Sequence, residues 1–124
     1  MTDLTELASR VEGLQGPDRA LMCAAFKAIF PEVSTGAWGA IDEWDAAYDR
    51  FCAMLDVGAH ESAAMTLVPE GFWSEIGIRG NYGTADLSGH LRGETYSEFA
   101  TAATPALALT AAALRALSSI QGEG

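Results

Sequence analysis

Residues 72–101 read FWSEIGIRGNYGTADLSGHLRGETYSEFAT, and apolar and polar side chains alternate along them. A period of two is the mark of a strand whose faces meet different surroundings. Over 72–79, Phe72, Ile76 and Ile78 fall on one side and Glu75 and Arg79 on the other. Gly80-Asn81-Tyr82-Gly83 predicts a turn. Thr84 to Leu91 alternates again, with Ala85, Leu87 and Leu91 on one face. Arg92-Gly93 predicts a second turn, and Glu94 to Thr101 a third strand that carries Tyr96 and Phe99. The expected unit is a three-stranded antiparallel meander, its register weakly specified by its glycines.

Such a sheet needs cover on at least one face, and the next segment supplies it. Thr104 is placed to cap a helix and Pro105 to occupy its first position. ALALTAAALRALSSI then runs to about Ile120 with Arg115 as its single charge, which predicts a largely buried helix. Upstream, Leu4, Leu7, Ala8, Val11 and Leu14 repeat at helical spacing over 2–14, with Thr2 as the expected cap. Pro17 and Asp18 open a second helix that ends near Phe30, and 31–40 reads as a loop. From Ile41 to Leu55, Ile41, Trp44, Tyr48, Phe51, Cys52 and Leu55 form one apolar stripe. A short helix over about 61–67 and a turn at Pro69-Glu70-Gly71 lead into the meander. The expectation is a single α+β domain over 1–124: N-terminal helices, meander, and a C-terminal helix on the sheet, as a layered α/β/α sandwich.

The chain has 124 residues, 49% of them hydrophobic, and a net charge of −10 from 7 basic and 17 acidic residues. This balance opposes general binding to nucleic acid phosphates. No apolar run is long enough for a membrane span. The acidic, periodic opening MTDLTELASR is unlike a secretory signal, so a cytoplasmic setting is expected. Cys23 and Cys52 lie in apolar helical contexts without a CxxC or zinc spacing. They read as two buried thiols of a reducing compartment, and a bridge between them stays open.

Two stretches carry a family likeness. Residues 62–73, SAAMTLVPEGFW, run from a short helix through Pro-Glu-Gly into an aromatic strand, and residues 102–116 read AATPALALTAAALRA. With the strands between them they resemble the small phage and prophage proteins of the phage ABA sandwich domain family. LASRVE followed by GPDR near the N-terminus is similar to the start of their acidic alphaproteobacterial-type relatives. The likeness covers 1–22 and 61–117; in 31–58 a longer helix with Trp44 and Tyr48 replaces a short linker. The resemblance implies a helix–sheet–helix layered fold and a bacterial host cell, and it implies no activity.

No catalytic set, cofactor site or metal site is expected. His60 and His90 lack a third ligand at useful spacing. Asp86, Ser88 and His90 share one strand face, but such neighbours stand about 7 Å apart, too far to relay a proton directly. GIRGNYG, 77–83, sits between strands and not at a strand-to-helix switch, which excludes a dinucleotide loop. Two binding sites are expected instead. Arg79, Asn81, Tyr82 and Arg92, near hairpin ends, could hold a small anionic, nucleotide-like ligand. Asp42, Glu43, Asp45 and Asp49 could mimic phosphates and block a basic host protein. Trp38, Trp44 and Trp73 are interface anchors if exposed, but Trp44, on the apolar stripe, and Trp38 are expected to pack on the core. The functional expectation is a non-enzymatic phage or prophage accessory factor that counters a host defence. A small hydrolase using His60 or His90 and a structural subunit without a ligand are the alternatives. A homo-oligomer joined through the Ala-rich final helix is also expected.

Overall fold

Helix ends and tight turns set the frame of this chain, and both follow from individual side chains. The computed structural model describes residues 3–30, 38–69, 71–91 and 93–121, without the side chains of 38–42. Its elements are α1 (Leu4–Glu12), α2 (Arg19–Ile29), α3 (Trp38–Asp56), α4 (His60–Met65), β1 (Phe72–Arg79), β2 (Tyr82–Leu91), β3 (Glu94–Ala102) and α5 (Pro105–Ile120).

Carboxylates begin the first two helices. Asp3 accepts from the Thr5 and Glu6 N–H groups, and Asp18 accepts from that of Leu21. The expected cap Thr2 lies outside the described residues, and Pro17 precedes the cap instead of opening the helix. A short carboxylate satisfies the free N–H groups of a first turn better than a ring without a donor can. Helix α3 begins at Trp38, so the expected loop over 31–40 gives way to helix in its last three residues. Helix α5 follows its expected punctuation: Thr104 accepts from the Leu107 N–H, with Pro105 at the start.

The strands form a meander in the order β1-β2-β3, antiparallel throughout. The first hairpin closes on Arg79 opposite Tyr82, so its loop is only Gly80-Asn81, and Gly80 takes φ +62°. A two-residue loop of this kind matches the strand twist, and it adds Tyr82 and Gly83 to β2. One sheet face carries Phe72, Ser74, Ala85, Leu87, Gly89, Tyr96, Ala100 and Ala102; the other carries Trp73, Glu75, Asp86, Ser88, Ser97 and Phe99.

Helix α5 lies on the first of these faces, and its far side packs against α1, α2 and α4. Residues 106–114 of α5 are all buried. The α+β fold and the C-terminal helix on the sheet are thus present. The layers run sheet, α5, then the remaining helices, so the helices stack on one side of the sheet rather than on both. The Ala-rich residues of α5, expected to meet a second copy, are buried within the chain. Glycine permits the close fit. A Cβ at Gly83 would overlap the Thr104–Pro105 peptide, and one at Gly89 would overlap the Phe72 ring.

Polar contacts at the rim hold α5 in register. Arg115 donates to both Glu12 carboxylate oxygens, from Nη2 at 2.6 Å and from Nε at 3.1 Å, and also to Ser9 Oγ. Ser119 donates to Glu98 of β3 at 2.8 Å. One continuous core cluster runs from Leu4 to Ala116.

Two substitutions test this packing. Gly83→Ala should destabilise the protein by about 3 kcal/mol, because backbone must shift at the start of α5. Thr104→Ala should cost only about 1 kcal/mol, the worth of one cap. Urea unfolding that ranks them in the opposite order would contradict α5 lying directly on β2.

Candidate functional site

The free face of the sheet draws its character from register. Cross-strand partners share a face, so the row Glu75–Asp86–Phe99 crosses all three strands, and the row Trp73–Ser88–Ser97 lies beside it. Trp73 and Phe99 are each 61% exposed, and no described element packs over them. Large aromatic rings left exposed on a protein surface mark a binding face more often than a scattered Leu does.

Beside the row is Gly77, paired with Thr84. Its missing side chain leaves a depression of about 280 Å³ bordered by Glu75, Arg79, Thr84, Asp86 and Phe99. Two carboxylates directly opposite each other repel, by a few tenths of a kcal/mol at an exposed site. A cation placed between them removes that repulsion. A guanidinium can also stack on an exposed ring such as Phe99. The site therefore suits a positively charged, planar or extended side chain.

The residues expected to bind an anion are only partly brought together. Arg79, Asn81 and Tyr82 share the first hairpin, all exposed. Arg92 lies outside the described residues, but its neighbours Leu91 and Gly93 mark the second hairpin. Strand β2, 10 residues long, separates the two, a span of about 30 Å. Of the expected set, Arg79, Asn81 and Tyr82 share one hairpin, at the opposite end of β2 from Leu91 and Gly93.

Glu43, Asp45 and Asp49 are exposed on α3, whereas the side chain of Asp42 lies outside the described residues. Asp56, at the end of the same helix, pairs with Arg19 at 2.8 Å. The two histidines stand apart. His60 opens α4, which among the described elements touches α3 and α5. His90 sits at the end of β2 on the free face, its Nδ1 3.0 Å from Thr95 Oγ1. Among the described residues no three of His, Cys, Asp and Glu stand where they could hold one metal ion. No helix among them is long and apolar enough to cross a membrane.

A second concavity lies between α2 and α3. Phe26, Phe30, Trp44, Ala47 and Met54 line a groove of about 350 Å³, with Glu43 and Arg50 at its rim. The indole N–H of Trp44 donates to the Phe30 carbonyl at 2.6 Å, and Trp44 stacks on Tyr48. Trp44 is therefore a partly buried wall and not a free anchor. Behind it, burial pushes the Tyr48 hydroxyl up to about 12, with help from the neighbouring Cys23 and Cys52 thiols.

Comparison with protein-family models, with curated proteins and with solved structures finds no match to this chain.

Sequence reasoning flagged Trp73 but missed Glu75, Gly77, Asp86 and Phe99 as one surface. The signal was present: a two-residue loop at Gly80-Asn81 sets the register of β1 on β2 that aligns Glu75 with Asp86. Reading the first turn as the four residues 80–83 left that register open.

Substitution separates the two faces of the sheet. Phe99→Ser and Trp73→Ser should each change stability by no more than about 0.5 kcal/mol, as exposed sites do. Glu75→Gln should stabilise the free protein by a few tenths of a kcal/mol at low salt. Leu87→Ala, on the covered face, should cost about 3 kcal/mol. Chemical denaturation of the four variants checks the ordering.

Proposed function

We propose that this chain is a non-enzymatic binding protein that receives a basic segment of a partner protein on the free face of its sheet. The family resemblance supplies the biological setting: a phage or prophage accessory factor that acts in the cytoplasm of a bacterial cell and counters a host defence by occupying a host protein. The observation that carries the binding role is the depression over Gly77, walled by Glu75, Asp86 and Phe99 and flanked by the exposed Trp73.

The physical case has three parts. The rings offer apolar area already in water, so covering them is favourable at roughly 25 cal/mol per Å². The opposed carboxylates attract a guanidinium or ammonium and are relieved by it. The net charge of −10 steers a basic partner toward the whole molecule. Sequestration of a small anion draws less support, because the hairpin that holds Arg79 lies about 30 Å along β2 from the one next to Arg92. The exposed acids Glu43, Asp45 and Asp49 on α3 support a second reading, in which that helix is the face that meets the basic partner.

A hexa-arginine peptide titrated into the labelled protein distinguishes these readings by amide chemical shifts. Shifts confined to 73–79, 84–88 and 97–101 are expected. Gly77→Val fills the depression, where a Cβ meets only the Thr84 hydroxyl at 3.3 Å, and should abolish those shifts while the protein stays folded. Glu75→Gln combined with Asp86→Asn should weaken binding about tenfold or more. Shifts centred on 43–49 would transfer the role to α3, and the absence of any shift would overturn the proposal.

A further inference from the structure

Cys23 of α2 and Cys52 of α3 are 29 residues apart in sequence, yet their sulfur atoms face each other at 3.9 Å across the helix pair. We infer that Cys23 and Cys52 form a two-electron redox site, a dithiol that closes to a disulfide and ties α2 to α3. The proposal stands on this juxtaposition and is independent of the role given to the sheet.

Both thiols are free. A disulfide needs its sulfurs about 2.05 Å apart, so each sulfur has roughly 1 Å to travel. Small side-chain rotations and a slight sliding of two helices supply movements of that size. The ion pair joining these helices, Arg19 with Asp56, is exposed and opposes the slide only weakly. The two thiols also differ in access. Cys23 is only 7% exposed, whereas Cys52 is partly open to solvent.

That difference sets an order of events. The Cys52 thiolate attacks one sulfur of a small-molecule disulfide and releases one small thiolate, leaving a mixed disulfide on Cys52. Cys23 then loses its proton to solvent, and its sulfur attacks that of Cys52 and expels the second small thiolate. The protein loses two electrons and two protons, and the small disulfide gains them as two thiols. Burial pushes the Cys23 thiol up, which lowers its thiolate fraction.

The bridge would act on the aromatic groove. Phe26, three residues from Cys23, packs against Trp44, Tyr48 and Phe51 of α3 with ring centres 4.9–5.9 Å apart. Closing the sulfurs would fix the spacing of the two helices that wall the groove. Opening them would return that spacing to side-chain packing alone.

The test exposes the full-length reduced protein to oxidised glutathione. The expected product is a monomer lighter by two hydrogen atoms, with a peptide linking Cys23 to Cys52 and no thiol alkylated in denaturant. Its midpoint of thermal unfolding should rise by about 10 °C, the effect of closing a loop of this length. Cys52→Ser and Cys23→Ala should each remove both the bridge and the rise. Should either variant fold poorly, the mass and alkylation of the unaltered chain still decide. Two alkylated thiols in an otherwise unchanged monomer would overturn the inference. So would dimers linked through one cysteine, or a bridge that lowers the unfolding midpoint.

Discussion

Helix α5 has almost no polar face, and the rest of the molecule is arranged around that constraint. A helix that is apolar on all sides is stable only where other elements surround it. Here the sheet covers one side and α1, α2 and α4 cover the other. Alanine at 106, 108, 111, 112, 113 and 116 lets both neighbours approach closely, while Leu107, Leu109 and Leu114 fill the space between layers. Each fully buried leucine contributes roughly 1.5–3 kcal/mol. The charge of Arg115 is tolerated because it emerges at the rim, where two oxygens of Glu12 meet its guanidinium.

Because α5 occupies the middle, the sheet becomes an outer layer. Its second face then has no partner within the described chain, and the residues on it are free to serve recognition. The cross-strand placement of Glu75 opposite Asp86 is costly in isolation. An exposed site that keeps like charges side by side, bracketed by Trp73 and Phe99, is more readily understood as prepared for a cationic partner than as a contribution to stability. Helix α3, which carries the other exposed acids, packs on α2 and α4 and not on the sheet.

The aromatic cluster around Phe26 links the second groove to the cysteine pair. Its rings meet Phe30, Trp44, Tyr48 and Phe51, and Lys27 lies over the Tyr48 ring at 5.1 Å. The group packs through tilted faces, an edge contact and one stack. A covalent tie between α2 and α3 would be made or broken beside this cluster.

The amino-acid pattern alone determined the elements. Alternation after Phe72 specified three strands, and Thr104-Pro105 specified the start of α5, because strand period, capping and the restrictions of proline act over a few neighbouring residues. It also placed Phe51 and Leu55 on a buried stripe. Helix starts were less legible, since Asp3 and Asp18 compete with adjacent Thr2 and Pro17 within one turn. What only the tertiary structure decided was which faces and which distant groups meet. Whether helices lie on one side of the sheet or both, whether Arg79 and the second hairpin converge, and whether Cys23 reaches Cys52 all depend on contacts between segments far apart in the chain. Such contacts follow from the joint packing of every layer around α5, and no local spacing encodes them.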